Sequence, residues 1–290
     1  MSAVLLPRPA VAAGPRRRRI RPGTPLAYLA AVVVIGITII PMLFVIAGGF
    51  RTNADINNKP AGLPHPWVGG NYSSILKSAS FWEFLGNSAL VAVVATGLAV
   101  GLGSMATFAL SRYSFRGREG LYTLFTIGLL FPPNVAVLPL YLLLKQVNLL
   151  DNQFGVAIPE AAFALPITIV ILRPFMRAIP GEIEDAALVD GATRLRFFWQ
   201  ILLPLSRPAL VTVSILAFVV SWNAYLLPLL VFSTQSHFTL PLGVATFQSQ
   251  YSQNVASIFA FTALSMVPAL AFFALAQRQI VGGLTGSLKG

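Results

Sequence analysis

The residues with the means to do chemistry collect in one polar stretch, Glu182 to Pro204, EIEDAALVDGATRLRFFWQILLP, within an otherwise apolar chain. Glu182, Glu184, Asp185 and Asp190 supply carboxylates, but neither His65 nor His237 stands at metal-ligand spacing from them, and neither histidine has an obvious partner of its own. These acids form no base, nucleophile pair or metal set, and an acidic, small-residue-rich hairpin of this kind suits being held by another protein or stabilising the neighbouring spans. Local rules give the stretch its shape. Pro180 and Gly181 break the preceding segment, and acids in a first helical turn meet the positive end of the helix dipole. Gly191 is placed to end that short helix in a left-handed cap. Thr193 can start a second helix, in which Leu195, Phe198, Trp199 and Leu202 recur at helical spacing as one apolar face. Pro204 and Pro208 close the unit. Ala186 and Ala187 are small enough for a partner to approach the backbone closely.

Asp185-Ala186-Ala187, a three-residue gap to Gly191, and a nine-residue gap to Ile201-x-Leu203-Pro204 form a pattern that resembles a known signature. It is the EAA…G…I-LP motif of the membrane subunits of binding-protein-dependent ABC importers. The one departure is Asp185 where that family has Glu, which keeps the charge and shortens its reach by one methylene. The resemblance implies a coupling helix on the cytoplasmic side, docked into a cleft of an ATP-hydrolysing subunit. On that basis Glu184, Asp185, Ala186, Ala187, Asp190, Gly191, Ile201 and Pro204 are the expected coupling residues.

The elements that must carry this hairpin follow from composition. Hydrophobic residues make up 56% of the 290, charged residues 10%, and the mean hydropathy is +0.76, which excludes a soluble globular chain. A helix needs about 20 apolar residues to cross a hydrocarbon core of about 30 Å. Backbone in lipid must satisfy itself, and long uncharged runs select helices over a barrel. The expectation is an all-α integral membrane protein with six transmembrane helices. Its parts are a basic cytoplasmic tail (1–25), a first transmembrane helix (26–50) and an external loop with an interfacial segment (51–84). A five-helix core (85–281) contains the hairpin at 181–204, and a cytoplasmic C-terminal tail covers 282–290. In the external segment Trp67, Tyr72, Phe81 and Trp82 suit the headgroup region. Gly97 and Gly101 form a small-residue pair that can admit a neighbouring helix. Pro132, Pro133 and Asn134 must break the third span, facing either a solute path or a packed neighbour. Glu160 reads as lying near the outer end of the fourth span, where it can snorkel to the interface.

Sixteen of the twenty lysines and arginines fall in segments that this order places inside, and four fall outside, so both termini are expected in the cytoplasm. The net charge of +11 has the same origin and requires no nucleic acid. There is no cysteine and no GxxxxGK[ST] loop, so the chain is expected to bind no cofactor or metal of its own and to perform no catalysis. ATP and Mg would act through a partner.

Further segments resemble the carbohydrate-uptake branch of the importer family, which includes the second permease subunit of maltose importers. They are Pro64 to Leu76 with Asn71-Tyr72, Asn87-Ser88, Ser111-Arg112, Ser221-Trp222-Asn223 with Pro228, and Gly283-Leu284-Thr285 through Lys289-Gly290. The resemblance implies a type I importer architecture in the cell membrane. It further implies a second homologous permease, a dimer of ATP-binding subunits, an extracytoplasmic solute-binding protein and a sugar or oligosaccharide as cargo. For solute contact the candidates are Ser221, Trp222, Asn223, Tyr225 and Asn134. Ser221 and Tyr225 are four apart on one expected helical face, and Trp222 and Asn223 serve equally as interhelical contacts. A non-sugar cargo such as a polyol phosphate, an ATPase-independent carrier and a membrane-embedded enzyme are the alternatives.

Overall fold

A computed structural model describes residues 24–248 and 254–286, with side chains up to residue 274. The expected basic tail, part of the loop before the last span and the residues of the C-terminal tail beyond 286 lie outside the described residues. The described chain is helical: α1 Thr24–Gly48, α2 Asn53–Asn58, α3 Gly70–Lys77, α4 Ala79–Arg112, α5 Arg118–Gly128, α6 Pro133–Gln146 and α7 Gln153–Ala178. Then come α8 Gly181–Val189, α9 Arg194–Leu205, α10 Arg207–Trp222, α11 Leu226–Val231, α12 Leu240–Gly243 and α13 Val255–Gly286. Four of these are long and apolar enough to cross a membrane, and the number reaches six if each of two bent pairs counts as one span. The chain divides into two units, residues 1–44, which hold most of α1, and residues 45–290.

The core of the second unit is α4 against α7, with α10 packed on both and on α13. The contact face of α4 is a stripe of small residues, Ala92, Ala95, Ala99 and Gly103, with Thr107 continuing it, all buried. Close approach occurs at Gly103, where a Cβ would stand 2.6 Å from Thr168 Cγ2. Gly97 and Gly101, the expected contact pair, meet nothing within 4 Å. They lie off the stripe because the buried face advances by three or four residues per turn from Ala92.

Three further expectations change. The second span starts at Ala79, and Phe81 is buried in an aromatic cluster with Phe84 and Phe261 rather than lying at the interface. Residues 51–78 are not a loose loop. Buried Arg51 bonds to Asp55 and to the carbonyls of Lys59 and Pro60, and Asn71 Nδ2 donates to the carbonyls of Gly49 and Arg51 at 2.9 Å. In the third span the helix stops at Gly128, four residues before the prolines, and Pro133 opens α6 at a position that needs no N–H donor. The two halves meet at a bend of 99°.

At the start of α7, His237 Nδ1 lies 3.2 Å from the Asp151 carboxylate. The same carboxylate accepts from the amides of Ser233 and Thr234 at 3.0 Å and from the Thr234 hydroxyl. Asn87 donates to the carbonyls of Ser236 and Phe238, and Ser88 Oγ accepts from the Leu240 amide at 2.7 Å. The loop 233–240 is thus fastened to α4 and to the start of α7.

Candidate coupling hairpin and solute cavity

The hairpin forms as local rules require. Glu182 and Glu184 occupy the first turn of α8, and Gly191 follows its end with φ +81°. Gly191 N–H donates to the Leu188 carbonyl and Ala192 N–H to that of Ala187. The Thr193 hydroxyl accepts from the Arg196 amide at 3.2 Å and caps α9. A π-turn over Phe198–Leu202 then widens α9 and shifts its inner face. Phe197, Phe198 and Leu202 are buried, whereas Leu195 and Trp199 are exposed, so the expected single apolar face is split in two. Leu188, Val189, Leu195 and Trp199 are exposed large apolar side chains of the hairpin.

Inward, Ala187 packs with Leu172 and Met176 of α7, with Phe197, Phe198 and Leu202 of α9, and with Ala209 and Val213 of α10. Ala187 therefore does not face a partner as expected; its small size serves internal packing. Asp185, Ala186, Asp190 and Pro204 are placed at the surface or partly so, and Ile201 is half-buried. Glu184 turns back toward Arg112 Nε at 3.9 Å, and Arg112 Nη2 donates to the Ile179 carbonyl. Arg173, buried in α7, reaches the Glu119 carboxylate at 2.5 Å and stacks its guanidinium 3.9 Å from the Tyr122 ring centroid. These arginines, read in the sequence as orientation signals, also tie the hairpin and the helix ends together. Only their positions at helix ends hinted at this.

A cavity of about 520 Å³ opens between α6, α7, α10 and α11, with Asn134, Glu160, Phe163 and Tyr225 on its wall. Of the expected solute contacts, Asn134 and Tyr225 are there. Ser221 and Tyr225 do not share a helical face, because α10 ends at Trp222 and the chain turns through Asn223 and Ala224. Trp222 is buried against Phe218, with Nε1 directed at the Ser265 carbonyl at 3.4 Å. Asn223 Nδ2 bonds the Val219 carbonyl at 2.8 Å, a local contact at the helix end. Glu160 corrects the sequence reading: it does not snorkel but accepts a hydrogen bond from the Ser221 hydroxyl at the cavity wall. It lies about two turns into α7, facing Ser221 of α10.

The sequence profile of the family described as "Binding-protein-dependent transport system inner membrane component" matches residues 99–284, which include the hairpin and the whole cavity wall. The chain belongs to this family. Two curated relatives align over nearly the whole permease. One is the diacetylchitobiose uptake system permease protein NgcG of Streptomyces coelicolor, 35% identical, with 86% of this chain and 83% of the relative covered. The other is the trehalose transport system permease protein SugB of Mycobacterium tuberculosis, 33% identical, with 89% and 95% covered. In fold, the permease is similar to a chain from the crystal structure of a bacterial ABC transporter involved in the import of the acidic polysaccharide alginate. The TM-score is 0.76 at 20% identity, with 90% of this chain and 99% of that chain covered. The permease is a multi-pass inner-membrane subunit of an ABC importer.

Proposed function

We infer that this permease crosses the membrane six times with both termini in the cytoplasm, and that it pairs with a second, homologous permease around a path for a sugar or oligosaccharide. An extracytoplasmic binding protein delivers the cargo. A dimer of ATP-binding subunits docks beneath, supplying ATP and Mg, and this chain holds neither. The observation that carries the reading is the two-sided hairpin. Asp185 and a set of apolar side chains are exposed on it, while Ala187, Phe197, Phe198 and Leu202 lock it to α7 and α10. A load applied at Asp185 is therefore transmitted to the spans as a rigid-body movement, since packed interiors deform little. Asp185 pairs with a basic residue of the ATPase, Gly191 sets the turn, and the remaining coupling residues shape the docked surface. The sugar assignment rests on the relatives' cargo and on a cavity that offers an aromatic ring and an amide, Tyr225 and Asn134, for stacking and hydrogen bonding.

The test is affinity purification of the tagged chain from its host in mild detergent, followed by mass spectrometry. Recovery of a Walker-motif ATPase and a second permease is expected, and Asp185→Arg should lose the ATPase while keeping the permease. Recovery of the chain alone, where other membrane complexes survive, would make it a self-sufficient carrier.

A further inference from the structure

Glu160 is the one acid on the wall of the cavity. Its two oxygens differ in their surroundings. Oε2 accepts from Ser221, whereas Oε1 is buried and has no hydrogen-bond partner. None of the ion pairs among the described residues includes Glu160. A carboxylate offers about four lone-pair positions, so one hydroxyl leaves most of its capacity unused. Leaving an acceptor shut away from water without a donor is costly, and native structures rarely do so without a reason. Around it the wall is mostly apolar, with Val137, Ala164, Leu216 and Leu227, and the donors it does hold, Asn134 and Tyr225, leave Oε1 unbonded.

The donor that fits is already represented in the site. Ser221 shows that a neutral hydroxyl is accommodated against this carboxylate. A sugar hydroxyl is the same group, and Phe163 and Tyr225 on the same wall offer ring faces to the sugar's C–H surface. Resting on the importer reading above, we propose that Glu160 is a solute-binding residue whose Oε1, closed off in this arrangement of the spans, is uncovered as they move and then accepts a hydroxyl hydrogen bond from a polyhydroxylated cargo passing through the cavity. The carboxyl oxygen gives an oriented contact.

The experiment uses the complete complex, this chain with its partner permease and ATPase subunits, purified in detergent. Equilibrium binding is measured for radiolabelled N,N′-diacetylchitobiose, trehalose, maltose and arabinotriose, in the absence of the binding protein. Wild type should bind at least one of them. Glu160→Ala should weaken that binding about tenfold, the factor that corresponds to about 1.4 kcal/mol. Glu160→Gln, which retains the volume and a carbonyl acceptor, should lose roughly threefold. Unchanged affinity in Glu160→Ala would overturn the assignment while leaving the importer reading intact. A Glu160→Gln complex that does not assemble would make Glu160 a tie between α7 and α10 and overturn it equally. Wild-type complex that binds none of the sugars would sink the sugar reading and the hydroxyl donor together.

Discussion

Arg173 and Glu119 are joined at 2.5 Å, the first buried in α7 and the second exposed at the start of α5. The asymmetry decides what each substitution does. Glu119→Gln leaves the buried guanidinium without its counter-charge. Arg173→Ala instead leaves a gap beside Tyr122 and strips the Leu110 carbonyl of its 3.3 Å donor, and an orphaned buried carbonyl costs about 1–3 kcal/mol. In thermal unfolding of the detergent-solubilised chain, Arg173→Ala should therefore be destabilised, and Glu119→Gln should be destabilised as well, because it leaves the buried guanidinium with the Tyr122 ring and the Leu110 carbonyl but no counter-charge. A wild-type melting temperature in Glu119→Gln would show that the ring and the carbonyl suffice to hold Arg173.

Gly103 and Gly97 lie on one helix and should respond in opposite ways. Alanine at 103 forces a Cβ to 2.6 Å from Thr168 Cγ2, an overpacking that costs about 1–3 kcal/mol. At Gly97 a Cβ meets nothing within 4 Å, so alanine should be neutral or gain up to about 1 kcal/mol of helix propensity. In thermal unfolding, Gly103→Ala should melt below wild type and Gly97→Ala at or above it. Coincident melting temperatures for the two variants would refute the assigned rotation of α4.

Gly191 sits at φ +81° between the two arms of the hairpin. An ordinary L-residue there costs about 1–2 kcal/mol, and a β-branched one more. Gly191→Val is expected to lose the ATPase in co-purification, whereas Gly191→Asn, which tolerates the left-handed region, should retain most of it. Sugar-stimulated ATP hydrolysis at the wild-type level in Gly191→Val would show that the turn is dispensable.

Asp151 anchors the loop 233–240, and the anchor depends on pH. Burial works against its ionisation, but hydrogen bonds from the Thr234 hydroxyl and amide, the Ser233 amide and His237 outweigh it and hold the carboxyl well below the usual carboxylate range. A lowered folded-state value means that the contribution is fully present above about pH 4, the ordinary carboxylate value, and is lost as pH falls from there through the folded value. Limited proteolysis at neutral pH should therefore find the loop protected in wild type. In Asp151→Ala it should be cut roughly tenfold faster, as loss of about 1.4 kcal/mol of anchoring implies. Asp151→Asn keeps an acceptor and tolerates the φ of +54°, so it should fall between them.

Much of this architecture is legible in the residues themselves. The left-handed turn at Gly191, the cap at Thr193 and the acids in the first turn of α8 depend on a few neighbouring residues, and local rules suffice for each. Hydropathy likewise locates the long apolar helices, because it is a sum along the chain. The expectations that the structure overturns share another character. Glu160 faces a cavity and not the interface, Gly103 and not Gly97 or Gly101 makes the close contact, and Phe81 and Ala187 turn inward. Each concerns which side of a helix faces inward. A soluble helix states that side through its polar face, but a span that is apolar all round carries almost no such pattern. The π-turn in α9 compounds this by shifting the inner face within one helix. The sequence alone therefore determined the class of the protein, the hairpin and its turn. Tertiary structure decided how each span is rotated about its axis, and so which of Gly103, Arg173 and Glu160 meets Thr168, Glu119 and Ser221, because only packing between spans distinguishes one apolar face from another.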